Sequence, residues 1–346
     1  MTDNRRKAVE LAGDWVCNGR GSIGRRQVTA ETGISDKTAR WLVAAARAVD
    51  YDVARLSALL TVGPAPKLVA DPVPSADEPI EELIERRCRE FRRMEKADLD
   101  EHVIRVKEPG PIGILIFGDP HVDDPGTDFP LLQEHIRLVQ ETEGLFAADA
   151  GDANNNWQGR LMRLHADQSV TARDAWRLVE WMYKSMPWAF SIAGNHVLWG
   201  DGPHVFERIL AAANVAVANN HEAKIRLEGP DWTYRIWARH DFAGKSQWNS
   251  VHGMLKAMKM REYKADLYVA GHTHDPAMYT EPRENGQMMT ALRVGSYKRV
   301  DDYAIQGGFP RKRGGEAALL VIDRDRSHVT FDIESGVDYL RFLRSR

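Results

Sequence analysis

The apolar positions of this chain fall into two regimes. Across residues 1–62 they recur at helical spacing among Arg and Ala, with almost no strand pattern, whereas from residue 111 onward short apolar runs alternate with amphipathic stretches. The second regime predicts strands at IGILIF (112–117), LFAADA (145–150), WAFSIA (188–193), YRIWAR (234–239), DLYVA (266–270) and TALRV (290–294), and a closing pair at AALLVID (317–323) and HVTFDIE (328–334). Helical spacing intervenes at 130–142, 169–186 and 202–213. Strands alternating with helices predict an α/β fold in layers, with a mixed or doubled sheet because of the final meander.

Between the regimes, residues 63–79 are rich in Pro, Ala and Asp without a sustained period and read as a linker. Residues 80–108 read as a connecting amphipathic helix, with Ile80, Leu83, Ile84, Cys88, Phe91 and Met94 on one stripe. That stripe is expected to dock on the second domain; the alternative is pairing with a second copy through 80–94. The expected domains are therefore 1–62 (helical), 63–79, 80–108 and 109–346.

Composition narrows the chemistry. A formal net charge of −3 over 346 residues excludes a globally basic nucleic-acid wrapper, so any polyanion site must be local. Cys17 and Cys88 are the only cysteines and are far apart, which leaves neither a disulfide framework nor a thiolate zinc site and fits a reducing cytoplasm. No signal peptide or membrane span is expected.

In α/β folds, ligands bind where strands end. After IGILIF comes Asp119 and His121; after LFAADA, Asp152; after WAFSIA, Asn195 and His196; after YRIWAR, His240; after DLYVA, His272 and His274. Carboxylate, amide and imidazole donors suit Mn²⁺, Fe or Zn²⁺ better than the all-oxygen cages of Ca²⁺. Leaving His196 aside, the seven such donors are too many for one tetrahedral ion and enough for two ions sharing a carboxylate.

The ordered series DxH, GDxxN, GNH, a lone His and GHTH resembles the calcineurin-like metallophosphoesterase superfamily over roughly residues 111–300. The resemblance implies a four-layer sandwich of mixed β-sheets flanked by helices, to which this chain adds a small all-α N-terminal domain. It also implies one metal on Asp119, His121, Asp152 and His274, and a second on Asp152, Asn195, His240 and His272. Mn²⁺ is the leading choice, with Fe, Zn²⁺ or Mg²⁺ as alternatives. His196 takes the role of the acid at the leaving oxygen. Where the phosphoprotein phosphatases carry Asp and Glu, this chain has Asn155 and Val197, which disfavours a Ser/Thr protein phosphatase; Asn155 is expected to orient His196 through its side-chain oxygen. Asp123 and Asp124 read as a solvated loop. Arg163 and its neighbours read equally as a phosphate grip or as an exposed basic face.

In the N-terminal part, Gly33, Ile34 and a capping Ser35 lie between two helical stretches, a spacing that resembles a helix-turn-helix with 36–47 as recognition helix. Lys37, Thr38 and Arg40 are its candidate DNA contacts, and ten Lys/Arg against seven Asp/Glu over 1–62 give a mild positive excess. The expected function is a two-metal phosphodiesterase acting on DNA, in an organisation that looks like phage or prophage enzymes. The alternatives are a small-molecule or cyclic-nucleotide phosphatase or phosphodiesterase with a regulatory helical domain, and a non-catalytic DNA-binding regulator.

Overall fold

A computed structural model describes residues 3–17, 25–48, 78–99, 101–260, 263–300, 308, 314–324 and 326–346. The chain divides into two compact units, Met1–Glu90 and Phe91–Arg346. The expected linker 63–79 falls outside the described residues except for its last two positions.

The smaller unit contains α1 (Asp3–Cys17), α2 (Arg25–Thr32) and α3 (Asp36–Ala48). Ala8, Val9, Ala12, Val28, Ala39 and Leu42 form its core. Gly33, at φ +68°, ends α2 with its amide on the Thr29 carbonyl at 2.9 Å, a left-handed cap that a side chain would strain. Two residues later Ser35 caps α3, its Oγ accepting from the Thr38 amide at 3.3 Å.

Helix α4 (Ile80–Leu99) follows. The helix expected over 80–108 stops there, because residues 101–105 are not helical: Glu101–Arg105 is strand β1, running parallel to β6 (Glu222–Glu228). The β-branched Val103 and Ile104 favour the strand. Glu101 anchors it, accepting from Arg226 Nε at 2.7 Å and from the Tyr263 hydroxyl at 2.6 Å. Among the described residues, Ile80, Ile84, Phe91 and Met94 of the α4 stripe are exposed and Leu83 is half-buried.

The larger unit is α/β, built on two six-stranded mixed sheets. The remaining strands are β2 (Ile112–Phe117), β3 (Leu145–Asp149), β4 (Trp188–Ile192), β5 (Val215–Asn219), β7 (Thr233–Arg239), β8 (Leu267–Ala270), β9 (Ala277–Pro282), β10 (Met288–Arg293), β11 (Ala317–Asp323) and β12 (Arg326–Thr330). One sheet has the order β12-β11-β2-β3-β4-β5 and the other β1-β6-β7-β8-β10-β9. Strands β2 to β5 are mutually parallel, as are β7, β8 and β10, so their carboxyl ends share one edge of each sheet.

Among the described residues, the longer α-helices of this unit are α5 (Phe129–Glu141), α6 (Ala172–Lys184), α7 (Gly202–Ala212), α8 (His252–Met260) and α9 (Ile333–Arg344). Strand β2 explains the layering. It is buried along its whole length; Ile112, Ile114 and Ile116 pack with Ile225, Leu227 and Ile236 of the other sheet, while Leu115 and Phe117 face Leu132, Val179 and Leu340 of the helices. Successive side chains of a strand point to opposite faces, so a run apolar at every position requires cover on both. The opposite face of the second sheet is closed by Met254 and Met258 of α8 on Trp237 and Tyr268. The result is helix, sheet, sheet, helix, the four layers the sequence led us to expect.

Candidate metal centre

Each expected donor sits just beyond a strand end, and the backbone turns hard to place it there. His121, Asp152, His272 and His274 have φ between +41° and +69°, the left-handed region that is costly for residues with a Cβ. The loops are tied to one another: the His121 amide donates to the Asp152 carbonyl at 3.1 Å, and the Asp152 amide to the Ala193 carbonyl at 3.1 Å. Two glycines make the approach possible. Gly194 has φ +79° and a Cβ there would lie 2.4 Å from Asp152 Oδ1; at Gly271 a Cβ would lie 2.2 Å from Asp119 Oδ1.

The donors form two groups whose ligating atoms lie within 4.8 Å of one another, Asp119–His121–His274 and Asp152–His240–His272. In the first, His121 Nε2 is 3.3 Å from His274 Nε2, which is 3.1 Å from Asp119 Oδ2. In the second, His240 Nε2 is 3.0 Å from Asp152 Oδ2, 2.9 Å from Asn195 Oδ1 and 3.1 Å from His272 Nδ1. Asn195, the amide donor expected from the sequence, therefore joins the second group.

The residues fit divalent cations. His240 donates from Nδ1 to the Ala150 carbonyl at 2.8 Å, which turns Nε2 toward three further electron-pair donors. Asp119 Oδ1 and His121 Nδ1 are buried without a hydrogen-bond partner. A single proton can satisfy one of these facing pairs, whereas a cation satisfies a whole group.

The electrostatics agree with a site that wants positive charge. Burial pulls the His240 imidazolium down, but Asp152, Asp119 and the hydrogen bond to the Ala150 carbonyl together outweigh it and raise the group to about 9. Asp152 itself, although buried, is held below the usual carboxylate range by His240 and His196. His121 is pushed well below the usual imidazole value by burial and by the adjacent His196 and His274, which leaves it neutral and ready to ligate. Burial and His240 lower His272 likewise.

His196 stands beside the second group. Its amide donates to Asp152 Oδ1 at 2.9 Å and its Nδ1 to the Asn155 carbonyl at 2.7 Å, leaving Nε2 turned toward Asp152 Oδ2 at 3.9 Å. The backbone of Asn155 therefore orients this histidine, not its side-chain oxygen, which is buried without a partner. Trp157 and Trp199, both half-buried, flank the ring at centroid distances of 5.1 and 4.3 Å.

Asp123 and Asp124 are not a solvated loop. Asp123 is buried and accepts from the Asn155 amide at 2.8 Å and Gln168 Nε2 at 3.0 Å; Asp124 accepts from Asn155 Nδ2 at 3.0 Å and pairs with Lys298 at 2.9 Å. Together they bind the first strand end to the second. Lys298, which also lies 5.5 Å over the Trp157 ring, went unnoticed in the sequence; it follows TALRV in Gly295-Ser296-Tyr297-Lys298, a sixth strand end built like the other five. Arg293 was missed too. It is buried at the end of β10 and donates to the carbonyls of Ser250 (2.6 Å) and Gly271 and to Asp241 Oδ1 (2.9 Å), joining the tips that carry His240 and His272.

The candidate DNA contacts lie in the other unit. Lys37 and Arg40 are exposed on α3, Arg40 beside Asp36 at 3.6 Å, while Thr38 is half-buried with its hydroxyl 2.8 Å from Ser35 Oγ and so belongs to the cap.

No family model matches this chain, and no curated protein does. Solved structures do: Vps29 from Entamoeba histolytica (12% identity, TM-score 0.34, over 63% of this chain and 90% of that one), the calcineurin-like phosphoesterase YfkN from Bacillus subtilis (10%, 0.33, 67% and 99%), and a metallophosphoesterase from Sphaerobacter thermophilus (16%, 0.31, 67% and 93%). These likenesses are faint, and the functional reading rests on the strand ends themselves. Among the described residues, no helix is long and apolar enough to cross a membrane.

Proposed function

We infer that the chain is a two-metal phosphodiesterase of the calcineurin-like type, acting on DNA. The observation that carries this reading is the convergence of Asp119, His121 and His274 with Asp152, His240, His272 and Asn195 at neighbouring strand ends, with His196 against the shared edge. Asp119, His121 and His274 would hold one cation, Asp152, His240, His272 and Asn195 the other, with Asp152 as the carboxylate common to both. Two bound divalent cations supply charge neutralisation for the phosphoryl oxygens and activation of water.

The chain's own part is positioning and proton transfer. The Asn155 carbonyl fixes His196 with Nε2 toward the centre, so that a protonated Nε2 can donate to the departing oxygen of a diester. Asp123 and Asp124 hold Asn155, and through it His196, against the first strand end.

The DNA substrate draws support from three features. Trp157 and Trp199 offer partly exposed aromatic faces for a base beside His196. Lys298, 5.5 Å over the Trp157 ring and paired with Asp124, holds that aromatic face beside His196. In the smaller unit, α2, the Gly33-Ile34-Ser35 turn and α3 present Lys37 and Arg40 to solvent. The test is turnover with Mn²⁺ on bis-p-nitrophenyl phosphate, on the corresponding monoester, and on single- and double-stranded DNA. Hydrolysis of the diester and of DNA is expected; turnover confined to the monoester would replace this reading with a phosphatase.

A further inference from the structure

Helix α4 carries an apolar stripe that, among the described residues, is largely exposed. At about 100° per residue, Ile80, Leu83, Ile84, Cys88, Phe91 and Met94 fall within roughly 140° of its circumference. Ile80 is 59% exposed, Ile84 55%, Phe91 65% and Met94 73%. Single exposed apolar residues are ordinary, but four large ones aligned on one helix face mark a surface built to be covered.

The charges say what covers it. Residues 78–85 hold four carboxylates and no cation, whereas 86–96 hold six cations (Arg86, Arg87, Arg89, Arg92, Arg93, Lys96) and two carboxylates. Counted outward from Arg87, every carboxylate of the first half has a cation at the same separation in the second: Glu85 with Arg89, Glu82 with Arg92, Glu81 with Arg93, Glu78 with Lys96. Four of the six apolar positions follow the same symmetry, Leu83 with Phe91 and Ile80 with Met94; Ile84, matched by Glu90, and Cys88, matched by Arg86, are the exceptions. An acidic start and a basic end also suit the dipole of a single helix, and Arg86–Glu90, Arg87–Glu90 and Arg89–Glu85 form exposed pairs within it. Neither the dipole nor these weak pairs accounts for the stripe.

We propose that two copies of this chain associate through α4, antiparallel, about a two-fold axis near Arg87. Parallel pairing would lay acidic half on acidic half and basic on basic; antiparallel pairing lays each acidic half along a basic one while burying the stripes against each other. Ile80 then lies opposite the partner's Met94, and Leu83 opposite the partner's Phe91. Between Ile80 and Met94, Arg87 is the one charged residue within that arc, and at the axis it meets the partner's Arg87. Glu90, 2.7 Å from Arg87 in the same helix, offsets part of that repulsion. A polar residue in such a seam fixes the register and weakens the pair.

Sedimentation equilibrium of the full chain across the micromolar range tests the association. A mass rising from one chain to two is expected, with Ile84→Glu and Phe91→Glu each weakening the dimer at least about tenfold and Arg87→Leu tightening it; circular dichroism checks that the helix is retained. A one-chain mass at every concentration would overturn the proposal and leave a different protein as the occupant. A dimer indifferent to both Glu variants would overturn it by placing the contact elsewhere. Orientation is read with Cys17 and Cys88 replaced by Ser: mixing chains carrying Ile80→Cys with chains carrying Met94→Cys and oxidising should link the two kinds. Crosslinks only within each kind would mean parallel pairing and contradict the axis.

Discussion

The strand tips of the larger unit and helix α4 depart from ordinary burial in opposite directions. At the tips Asp119, His121, Asp152 and His240 are buried polar groups, and Asp119 Oδ1 and His121 Nδ1 have no hydrogen-bond partner; on α4 large apolar side chains stand exposed. Burying unpaired polar groups and exposing aligned apolar ones are both costly. In each case the cost vanishes when something is added, cations at the tips and a second chain at the helix. The two regions therefore call for different partners, and they respond differently to substitution.

The largest effect is expected at Asp152, which belongs to the second donor group and is the carboxylate proposed to serve both cations. Asp152→Ala should lower diester hydrolysis by at least about 10³-fold, since a two-cation clamp cannot lose its shared ligand and keep its function; a steady-state assay with Mn²⁺ checks it. Next comes His196→Ala, expected to cost on the order of 10²- to 10³-fold in kcat with metal content unchanged, as general-acid loss does. Unaltered kcat would remove His196 from the chemistry.

Arg293→Met tests the scaffold beneath the tips. It leaves Asp241 and two carbonyls without their donor and should destabilise the fold by roughly 3 kcal/mol, read from denaturant unfolding. A subtler effect lies one layer deeper, at Asp149, which accepts from the Gly151 amide (3.0 Å) and the Tyr183 hydroxyl (2.6 Å). Burial raises its carboxyl from 3.8 to about 7 despite those donors. The folded state then holds a proton that the unfolded chain has lost, so this stabilising contribution is full below about pH 4, declines as pH rises to about 7, and is gone above it. Asp149→Asn should flatten the fall in Tm between pH 4 and 7. The smallest effect belongs to α4: Ile84→Gln should change the unfolding free energy of the dilute monomer by no more than about 0.5 kcal/mol. A large loss there would mean that the stripe is already covered within one chain and would erase the contrast.

How much of this was legible in the sequence depended on what each residue faces. Strands buried on both sides, such as β2 and β11, are apolar at nearly every position, and their limits were read correctly as 112–117 and 317–323. β6, with Ala223, Ile225 and Leu227 inward and charged residues between them, was overlooked, as were the edge strands β1, β5 and β9. Their signal is alternation diluted by charge, and β1 also follows a helix of similar composition. The donors stood out because each follows an apolar run. Their supports did not: Arg293 lies inside a strand, and Asp123 and Asp124 are indistinguishable in sequence from a solvated turn. What decides their burial is the return of Asn155, Gln168 and Lys298 from distant positions, which pattern along the chain does not record.

The central claim is that the two donor groups hold two cations about one shared carboxylate. Bound Mn²⁺ per chain, counted by equilibrium dialysis and elemental analysis for the unaltered protein and for Asp152→Ala, tests it most directly. Two ions in the unaltered protein and at most one in the variant is the predicted result. A single ion in both, or two ions that survive the loss of Asp152, would contradict it.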